Sequence, residues 1–524
     1  MSKVSLLDTT LRDGEQGEGI SFTLQDKLAI TELLDHLKID YIEGGWPGSN
    51  PKAIDYFNAL DTHPLTHAKK TAFGSTRRAN LSVEEDPNLN ALLEVNPDCC
   101  VIFGKTWDFH VTEALQISLE ENLLMIKESV AYLKKKGKEV IYDAEHFFDG
   151  YKANPNYALE TLKAAEAGGA DIICLCDTNG GSLPSEISQF IRTIAPKLKT
   201  QIGIHSHDDS GLGVANAIAA IQAGATHVQG TLNGYGERCG NANLSSILCI
   251  LSLKLKKDCA ATDQLSKLTR ISHTIDEIAN LQPKREQAYV GRSAFAHKGG
   301  IHVSAVLKHP ETYEHIKPET VGNSQRVLVS ELSGASNLIY KAKQYGIDVD
   351  SKSMELKSLL KNIKEMENDG YQFEGAEASF LLLMKRHLSG YQNHINLESF
   401  EVLNTHQKDQ RADISAKLTL ILNDKTYTDS ANGNGPVAAL DAGLRKVISS
   451  IFPVISEIKL TDYKVRVLDS KDGTKAKVRV LITSSDSQET WETVGVSANI
   501  IKASWLALAD SFEYKLMKEV GSNT

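Results

Sequence analysis

Hydrophobic positions in the first half of the chain follow two alternating rhythms. Short, dense apolar or β-branched runs recur at VSLLDTT, YIEGGWP, KTAFGST, CCVIFGKT, EVIYDAEHFF, DIICLCDTN, QIGIHSHDD and THVQGTLNG. Between them, apolar residues return every three or four positions, as at Leu24–Leu37, Val111–Lys136, Tyr157–Ala167 and Leu212–Ala223. The first rhythm predicts strands buried on both faces, and the second predicts amphipathic helices. Eight such strand–helix units over residues 1–258 predict an α/β fold, a (β/α)8 TIM barrel of the usual ~250 residues. A doubly wound open sheet is the alternative. It would carry a glycine-rich phosphate turn after the first strand, whereas that turn here reads Arg12-Asp13-Gly14-Glu15.

From residue 259 to 400 the pattern is mostly helical, with a polar loop region from Pro283 to Gly300, and predicts helical linker subdomains that contribute to the active site. From Glu401 onward strand-type alternation returns in ADISAKLTLIL, YKVRVL and KAKVRVLITS. ANGNGPVAALDAGL, starting at Ala431, and TVGVSANIIKASWL, starting at Thr493, echo each other: both set Gly-x-Gly or Gly-x-Ser before a helical run. This predicts an internally repeated α+β domain over residues 401–518. Backbone N–H groups at two such helix starts suit a carboxylate ligand, which makes Gly433, Gly435, Gly495 and Ser497 candidate effector contacts. The plainer reading is that the glycines only make the turns.

Composition narrows the function classes. The 524 residues are 41% hydrophobic and 24% charged, a globular profile with room for several domains. A net charge of −10 argues against nucleic acid or an anionic membrane as the main partner. The basic run Lys134–Lys138 ends a helical stretch and reads as a solvated helix C-terminus. There is no signal-peptide pattern at the N-terminus, and no apolar run approaches the ~20 residues needed to span a bilayer. Seven irregularly spaced cysteines do not form a disulfide framework, so a cytoplasmic location is expected. Cys174 and Cys176, with no second pair nearby, read as buried small hydrophobes.

The candidate chemistry lies where the predicted strands end. Arg12 and Asp13 follow the first strand, Glu43 lies in the second and Arg77 follows the third. Glu145 ends the fifth, Asp177 and Thr178 the sixth, His205 and His207 the seventh, and Asn233 and Glu237 the eighth. In a parallel barrel these ends share one rim, where catalytic groups sit. His205 and His207 are two apart on a strand, so both imidazoles face the barrel mouth. Asp13 would complete a two-histidine, one-carboxylate set, and Asn241 could add an amide oxygen. Open positions on such a metal suit Lewis-acid work on a chelating oxygen pair such as a 2-oxo acid. Arg12 could stabilise the resulting alkoxide, with Glu145 and His302 as proton handlers.

DTTLRDGEQ, HSHDDSGLGVANAIAAIQAGA, GTLNGYGERCGNANL and FAHKGGIH together resemble the DRE-TIM metallolyase superfamily. Within it the chain is similar to the Claisen-type condensing enzymes: the 2-isopropylmalate, homocitrate and citramalate synthases. The resemblance implies that acetyl-CoA is deprotonated to an enolate, that the enolate attacks a metal-chelated 2-oxo acid, and that hydrolysis releases CoA. It implies Asp13, His205 and His207 as ligands of a divalent metal (Mg2+ or Mn2+, with Zn2+ compatible), and Asn241 as a fourth. It gives Arg12 the ketone, Thr178 the 2-oxo acid carboxylate, and Glu145, His302 and Tyr313 catalytic roles. Glu145 stands in YDAEHFF where the family pattern is more often FSPED, and the Tyr313 match is loose. The C-terminal repeats look like the family's regulatory domain, which implies a homodimer and an end-product amino acid as effector. AFGSTRRA, AEHFFDGYKANP and CDTNGG resemble the members that take pyruvate on the route to isoleucine, so isoleucine is the implied inhibitor. A 2-isopropylmalate synthase, taking 2-oxoisovalerate toward leucine, is the alternative; those enzymes usually read HNDLG and DTVGY where this chain has HDDSG and DTNGG. A 3-hydroxy-3-methylglutaryl-CoA lyase would carry a Cys-Pro loop, which is absent, and an amino-acid sensor would not need the intact polar set.

Overall fold

Eight strands close into a barrel: β1 (Ser5–Asp8), β2 (Tyr41–Glu43), β3 (Lys69–Ser75), β4 (Cys99–Lys105), β5 (Glu139–Glu145), β6 (Ile172–Asp177), β7 (Gln201–Ser206) and β8 (His227–Gly230). Neighbours run parallel, and β1 closes the ring on β8 with Ser5 opposite His227 and Asp8 opposite Gly230. The computed structural model describes residues 3–329, 334–350, 352–405, 413–468 and 476–521. Ala412 and Lys475, the first residues of two predicted strands, lie outside the described residues.

The dense apolar runs are explained by burial on both faces. Leu6, Ile42, Ala72, Cys100, Val140, Ile173, Ile204 and Val228 join the core shared with the surrounding helices. The alternate residues Leu7, Tyr41, Phe73, Cys99, Val101, Ile141, Ile172 and Cys174 pack inside the ring. Two expected boundaries differ. The fifth strand stops at Glu145, because His146 adopts φ +53° and turns the chain into a helix over Phe147–Ala153. The predicted helix Val111–Lys136 is broken: a wide-turned segment, His110–Leu115, ends at Gln116 with φ +55°. Ser118 then accepts from the Glu121 N–H and starts the helix Leu119–Lys135. Apolar spacing continues across both turns and hides them.

The chain divides into two units. The first runs through Phe295 and takes back His315–Gln325, which is fixed by Thr269 Oγ1 donating to the Val321 carbonyl at 2.7 Å. The second holds Ala296–Glu314 and the chain from Arg326 onward. It begins with a small pair, β9 (Ala296–His297) and β10 (Arg326–Val327), and four helices: Gly300–Val306, Ala335–Gln344, Met354–Asn368 and Glu377–Leu388. A repeated strand-strand-strand-helix pattern follows. β11 (Asn396–Thr405), β12 (Asp413–Leu422) and β13 (Lys425–Asn432) precede the helix Pro436–Ile448. β14 (Lys459–Val467), β15 (Val478–Ser485) and β16 (Thr490–Ser497) precede the helix Ile500–Gly521. Leu418, Leu420, Leu444, Val480, Ile482, Trp505 and Phe512 share one core between the two repeats.

Two glycines of the repeat, Gly433 and Gly495, have packing duties. A Cβ on Gly433 would lie 2.3 Å from the Ala439 nitrogen, and one on Gly495 would lie 2.1 Å from the Ala503 oxygen. Each strand end therefore lies directly against the backbone of the next helix. Gly435 is the residue just before the helix Pro436–Ile448. Ser497 Oγ accepts from the Asn499 N–H at 3.1 Å, and Asn499 Oδ1 accepts from the Ile501 N–H at 2.8 Å. Close packing accounts for glycine at 433 and 495 and local capping engages Ser497, whereas a Cβ on Gly435 would meet nothing within 4 Å.

Candidate active site

A cavity of about 240 Å3 opens at the C-terminal mouth of the barrel. Asp13 follows β1, and His205 and His207 stand two apart at the end of β7, all three buried. One ligand atom from each falls within a cluster 4.8 Å across. Asp13 Oδ2 lies 3.2 Å from His205 Nε2 and accepts no well-formed hydrogen bond. Asn241 Oδ1 lies 3.0 Å from the same nitrogen. Its amide is oriented by Nδ2 donating to the Tyr235 carbonyl at 3.1 Å. His207 Nδ1 is buried and unpartnered. Acceptors and imidazole nitrogens thus converge on one point, a donor set that fits a divalent cation.

The charges of this cluster are strongly coupled. Burial alone would raise the pKa of Asp13, but Arg12 and the two imidazoles outweigh it and hold the carboxyl well below its usual range. Burial would lower that of His205, but Asp13 outweighs it and lifts the imidazole to about 10. For His207, burial and then His205 outweigh the pull of Asp13 and push the imidazole down to about 4.

Arg12 sits beside the cluster, held from two sides. Its Nε donates to Glu43 Oε2 at 2.7 Å, and its Nη1 lies 3.0 Å from Asp13 Oδ1. Its guanidinium carbon lies 3.7 Å above the Phe73 ring. Phe73 stacks on Phe103 at 5.5 Å, and Trp46 stands edge-on to both at 5.6 Å. These three rings line the cavity as an apolar wall. Glu43 is completely buried with Oε1 unpartnered. Burial lifts its pKa to about 7 against the pull of Arg12.

Opposite, Glu145 at the end of β5 pairs with Lys105 at the end of β4. Thr178 Oγ1 accepts from the His146 N–H at 2.9 Å, which leaves its own hydrogen free to donate into the cavity. Arg238, in the loop after β8, donates from Nη2 to the Thr178 carbonyl at 2.8 Å and grips Asp209 through Nε and Nη2 at 2.7 and 2.9 Å.

Arg12, Asp13, Glu145, Thr178, His205, His207 and Glu237 therefore share the cavity, as the rim argument expects. Other strand-end residues serve the fold. Arg77 gives its donors to Glu121 and Glu128 at 2.9 Å. Asp177 accepts from Ser182 and Asn216, and Asn233 bonds Ser272 and Asp276. His302 and Tyr313 belong to the second unit, where their rings lie 4.4 Å apart. Sequence reasoning missed Trp46, Phe73, Phe103, Lys105, Asp143 and Gln229. Asp143 was findable, being two residues before Glu145 on one strand. An aromatic wall looks like core in a sequence.

Three family models match in succession: HMGL-like over residues 3–275, homocitrate synthase post-HMGL domain-like over 289–371, and the LeuA allosteric (dimerisation) domain over 374–516. The chain is 55% identical over 519 residues to the (R)-citramalate synthase of Geobacter sulfurreducens, covering 99% of this chain and 98% of that protein. It is 51% identical to the Aquifex aeolicus (R)-citramalate synthase, with the same coverage. A 2-isopropylmalate synthase of Methanocaldococcus jannaschii is 30% identical, over 98% of this chain and 95% of that protein.

Proposed function

We propose that this chain, which belongs to the (R)-citramalate synthase family, condenses acetyl-CoA with pyruvate and water to give (R)-citramalate and free CoA, in isoleucine biosynthesis. The observation that carries the reading is the convergence of Asp13, His205, His207 and Asn241 beside an arginine and a wall of three aromatic rings. Asp13, His205, His207 and Asn241 would hold a divalent cation, Mg2+ or Mn2+ by their mixed nitrogen and oxygen donors and Zn2+ as a further compatible ion, and it would supply Lewis-acid polarisation of a ketone.

The chain's own residues do the rest. Arg12, fixed by Glu43 and Asp13, presents a cation to the pyruvate ketone oxygen and stabilises the alkoxide formed there. The Thr178 hydroxyl donates to the pyruvate carboxylate. Trp46, Phe73 and Phe103 enclose the methyl group and leave little room for a branched side chain. Glu145, poised on Lys105, is the proton handler of the barrel. The acetyl methyl loses a proton, its carbon bonds to the ketone carbon of pyruvate, and hydrolysis of the thioester releases CoA. The catalytic roles of His302 and Tyr313 are part of this proposal and rest on the resemblance alone.

Isoleucine is the proposed feedback inhibitor, acting through the C-terminal repeats of a homodimer; the match to an allosteric dimerisation domain supports this. Gly433, Gly435, Gly495 and Ser497 are retained as candidate effector contacts. Among the described residues no helix is long and apolar enough to cross a membrane. The free cysteines suit the proposed cytoplasmic location.

The test offers acetyl-CoA with pyruvate, 2-oxoisovalerate or 2-oxoglutarate, with Mg2+ or Mn2+, and follows release of the CoA thiol. Fast release with pyruvate alone is expected. Preference for 2-oxoisovalerate would make the chain a leucine-pathway enzyme, and no release with any acceptor would remove the condensation reading.

A further inference from the structure

Beneath the Asp13–His205–His207 cluster lies a polar layer with no role in the account so far. Gln229 on β8 and Asp143 on β5 are buried inside the barrel at 0% and 3% exposure. Gln229 Nε2 donates to Asp143 Oδ1 at 2.7 Å, and His205 Nδ1 donates to Gln229 Oε1 at 2.7 Å. The three groups form one chain ending at the candidate ligand nitrogen. A barrel interior is ordinarily filled by branched apolar side chains, and a buried carboxylate costs stability unless its partners are well placed.

The direction of this chain can be read from its far end. An ionised carboxylate only accepts hydrogen bonds, so the amide of Gln229 must turn its NH2 toward Asp143. Its carbonyl then faces His205 and requires a hydrogen on Nδ1. That leaves Nε2, 3.0 Å from Asn241 Oδ1 and 3.2 Å from Asp13 Oδ2, as the nitrogen whose lone pair can serve a cation. Turned end for end, the amide would offer NH2 to Nδ1. The neutral ring would then carry its hydrogen on Nε2 and drop out of the donor set.

We propose that Asp143 and Gln229 are positioning residues: Asp143 fixes the orientation of the Gln229 amide, and the amide selects the Nδ1–H tautomer of His205 that frees Nε2 as a ligand. The inference rests on the cation reading of the site made above. Such outer partners of a ligating histidine set its orientation and basicity.

The experiment is a Mn2+ titration of the full-length protein, with free Mn2+ followed by electron paramagnetic resonance. Asn at position 143 accepts either orientation of the amide, and Met at 229 removes the carbonyl. Asp143→Asn and Gln229→Met are expected to weaken Mn2+ binding roughly 10- to 100-fold. The double variant Asp143→Asn/Gln229→Glu moves the carboxylate to position 229, where it accepts from Nδ1–H directly, and should recover most of the affinity lost. Val101→Ala changes the apolar packing inside the barrel and leaves Asp143, Gln229 and His205 in place, and should bind as the wild type does. Saturating Mn2+ should also restore kcat in the single variants, which lost packing would not allow. Wild-type affinity in Asp143→Asn, or a double variant weaker than both singles, overturns the proposal. Asp13→Asn separates the two levels. If it loses Mn2+ while Asp143→Asn keeps it, only the tautomer inference fails. If Asp13→Asn binds as tightly as the wild type, the cation site itself is wrong and both fall.

Discussion

Replacing Phe103 by alanine should move the enzyme from pyruvate toward 2-oxoisovalerate. Pyruvate and 2-oxoisovalerate share the reacting ketone and carboxylate and differ by two methyl groups on the side chain. In the wild type that volume is filled by rings stacked at 5.5 Å, with Trp46 edge-on at 5.6 Å. Forcing extra methyl groups into a packed wall costs about 1–3 kcal/mol. Burying the same two groups in the space a phenyl ring leaves gains about 1.6 kcal/mol, at ~0.8 kcal/mol each. Relieving the first and gaining the second changes relative transition-state binding by about 3 kcal/mol, or ~100-fold at ~1.4 kcal/mol per decade. Phe103 is the better target than Phe73, because the Arg12 guanidinium rests 3.7 Å above the Phe73 ring. The assay is thiol release, giving kcat/KM for each acceptor in each protein. A ratio that shifts by less than about threefold, in a variant that still turns over pyruvate, would mean that the wall does not contact the acceptor side chain.

Four further outcomes are expected. Glu145→Gln should lower kcat about 10²- to 10⁴-fold while Mn2+ affinity stays unchanged; a parallel loss of Mn2+ would show that Glu145 shapes the metal site instead. Asp209→Ala, which frees Arg238, should raise KM for pyruvate more than it lowers kcat, and an unchanged KM would detach that clamp from the substrate. Gly495→Ala puts a Cβ 2.1 Å from the Ala503 oxygen. At the usual overpacking cost of ~1–3 kcal/mol, it should lower the melting temperature and weaken the proposed isoleucine inhibition together while Mn2+ binding persists; full inhibition in the variant would place the effector elsewhere. Asp35 concerns pH: burial would raise its pKa, but bonds from the N–H groups of Ala68, Thr66 and His67 and the Thr66 hydroxyl outweigh it and lower it. A carboxyl whose folded pKa is depressed contributes stability that is present above its unfolded value of about 4 and lost as pH falls through the folded one. Asp35→Asn should therefore lower thermal stability at pH 7 and flatten the acid-side loss below about pH 4. Identical acid profiles for the two proteins would refute this.

The barrel was legible because its strands are buried on both faces and its helices on one, so the two periodicities differ. The clustering of the candidate ligands was legible for the same reason: a strand repeats every two residues, which put His205 and His207 on one side. Turns were not. Gln116 and His146 break elements at φ +55° and +53°, a conformation that neither residue type announces. Which strand-end groups face the cavity was legible only in part. Asp13 and Asp177 are both acids just past or at a strand end, yet one faces the cavity and the other anchors Ser182 and Asn216. Residue type and strand end do not distinguish them; the direction of one side chain does. The glycine repeats are ambiguous in a similar way. Gly433 and Gly495 mark tight strand-to-helix contacts, and a contact of that kind looks the same in sequence as a loop that cradles an anion.

The segments HDDSG and DTNGG are joined into one structural unit through Asp209 and Gly180, two residues they share with the isopropylmalate-type patterns HNDLG and DTVGY. Gly180, in DTNGG, has φ +61°, and a Cβ there would lie 2.5 Å from Asp209 Oδ2, in HDDSG. A side chain at 180 would displace the carboxylate, so an aspartate at 209 requires a glycine at 180 as built. That carboxylate takes Arg238 through two nitrogens. The same guanidinium reaches the Thr178 carbonyl, two residues before Gly180. The loops after β6, β7 and β8 are thereby joined around the threonine assigned to the pyruvate carboxylate. Arg238 is partly exposed, so the pair adds little to stability by itself. Its value is geometric: the planar, forked guanidinium fixes three loops at once. A one-residue change at either position would break the unit. Because Gly180 and Asp209 stand in both patterns, the unit is a shared support of the rim, and the departures themselves, Asn179, Gly181, Asp208 and Ser210, lie on the loops that it joins.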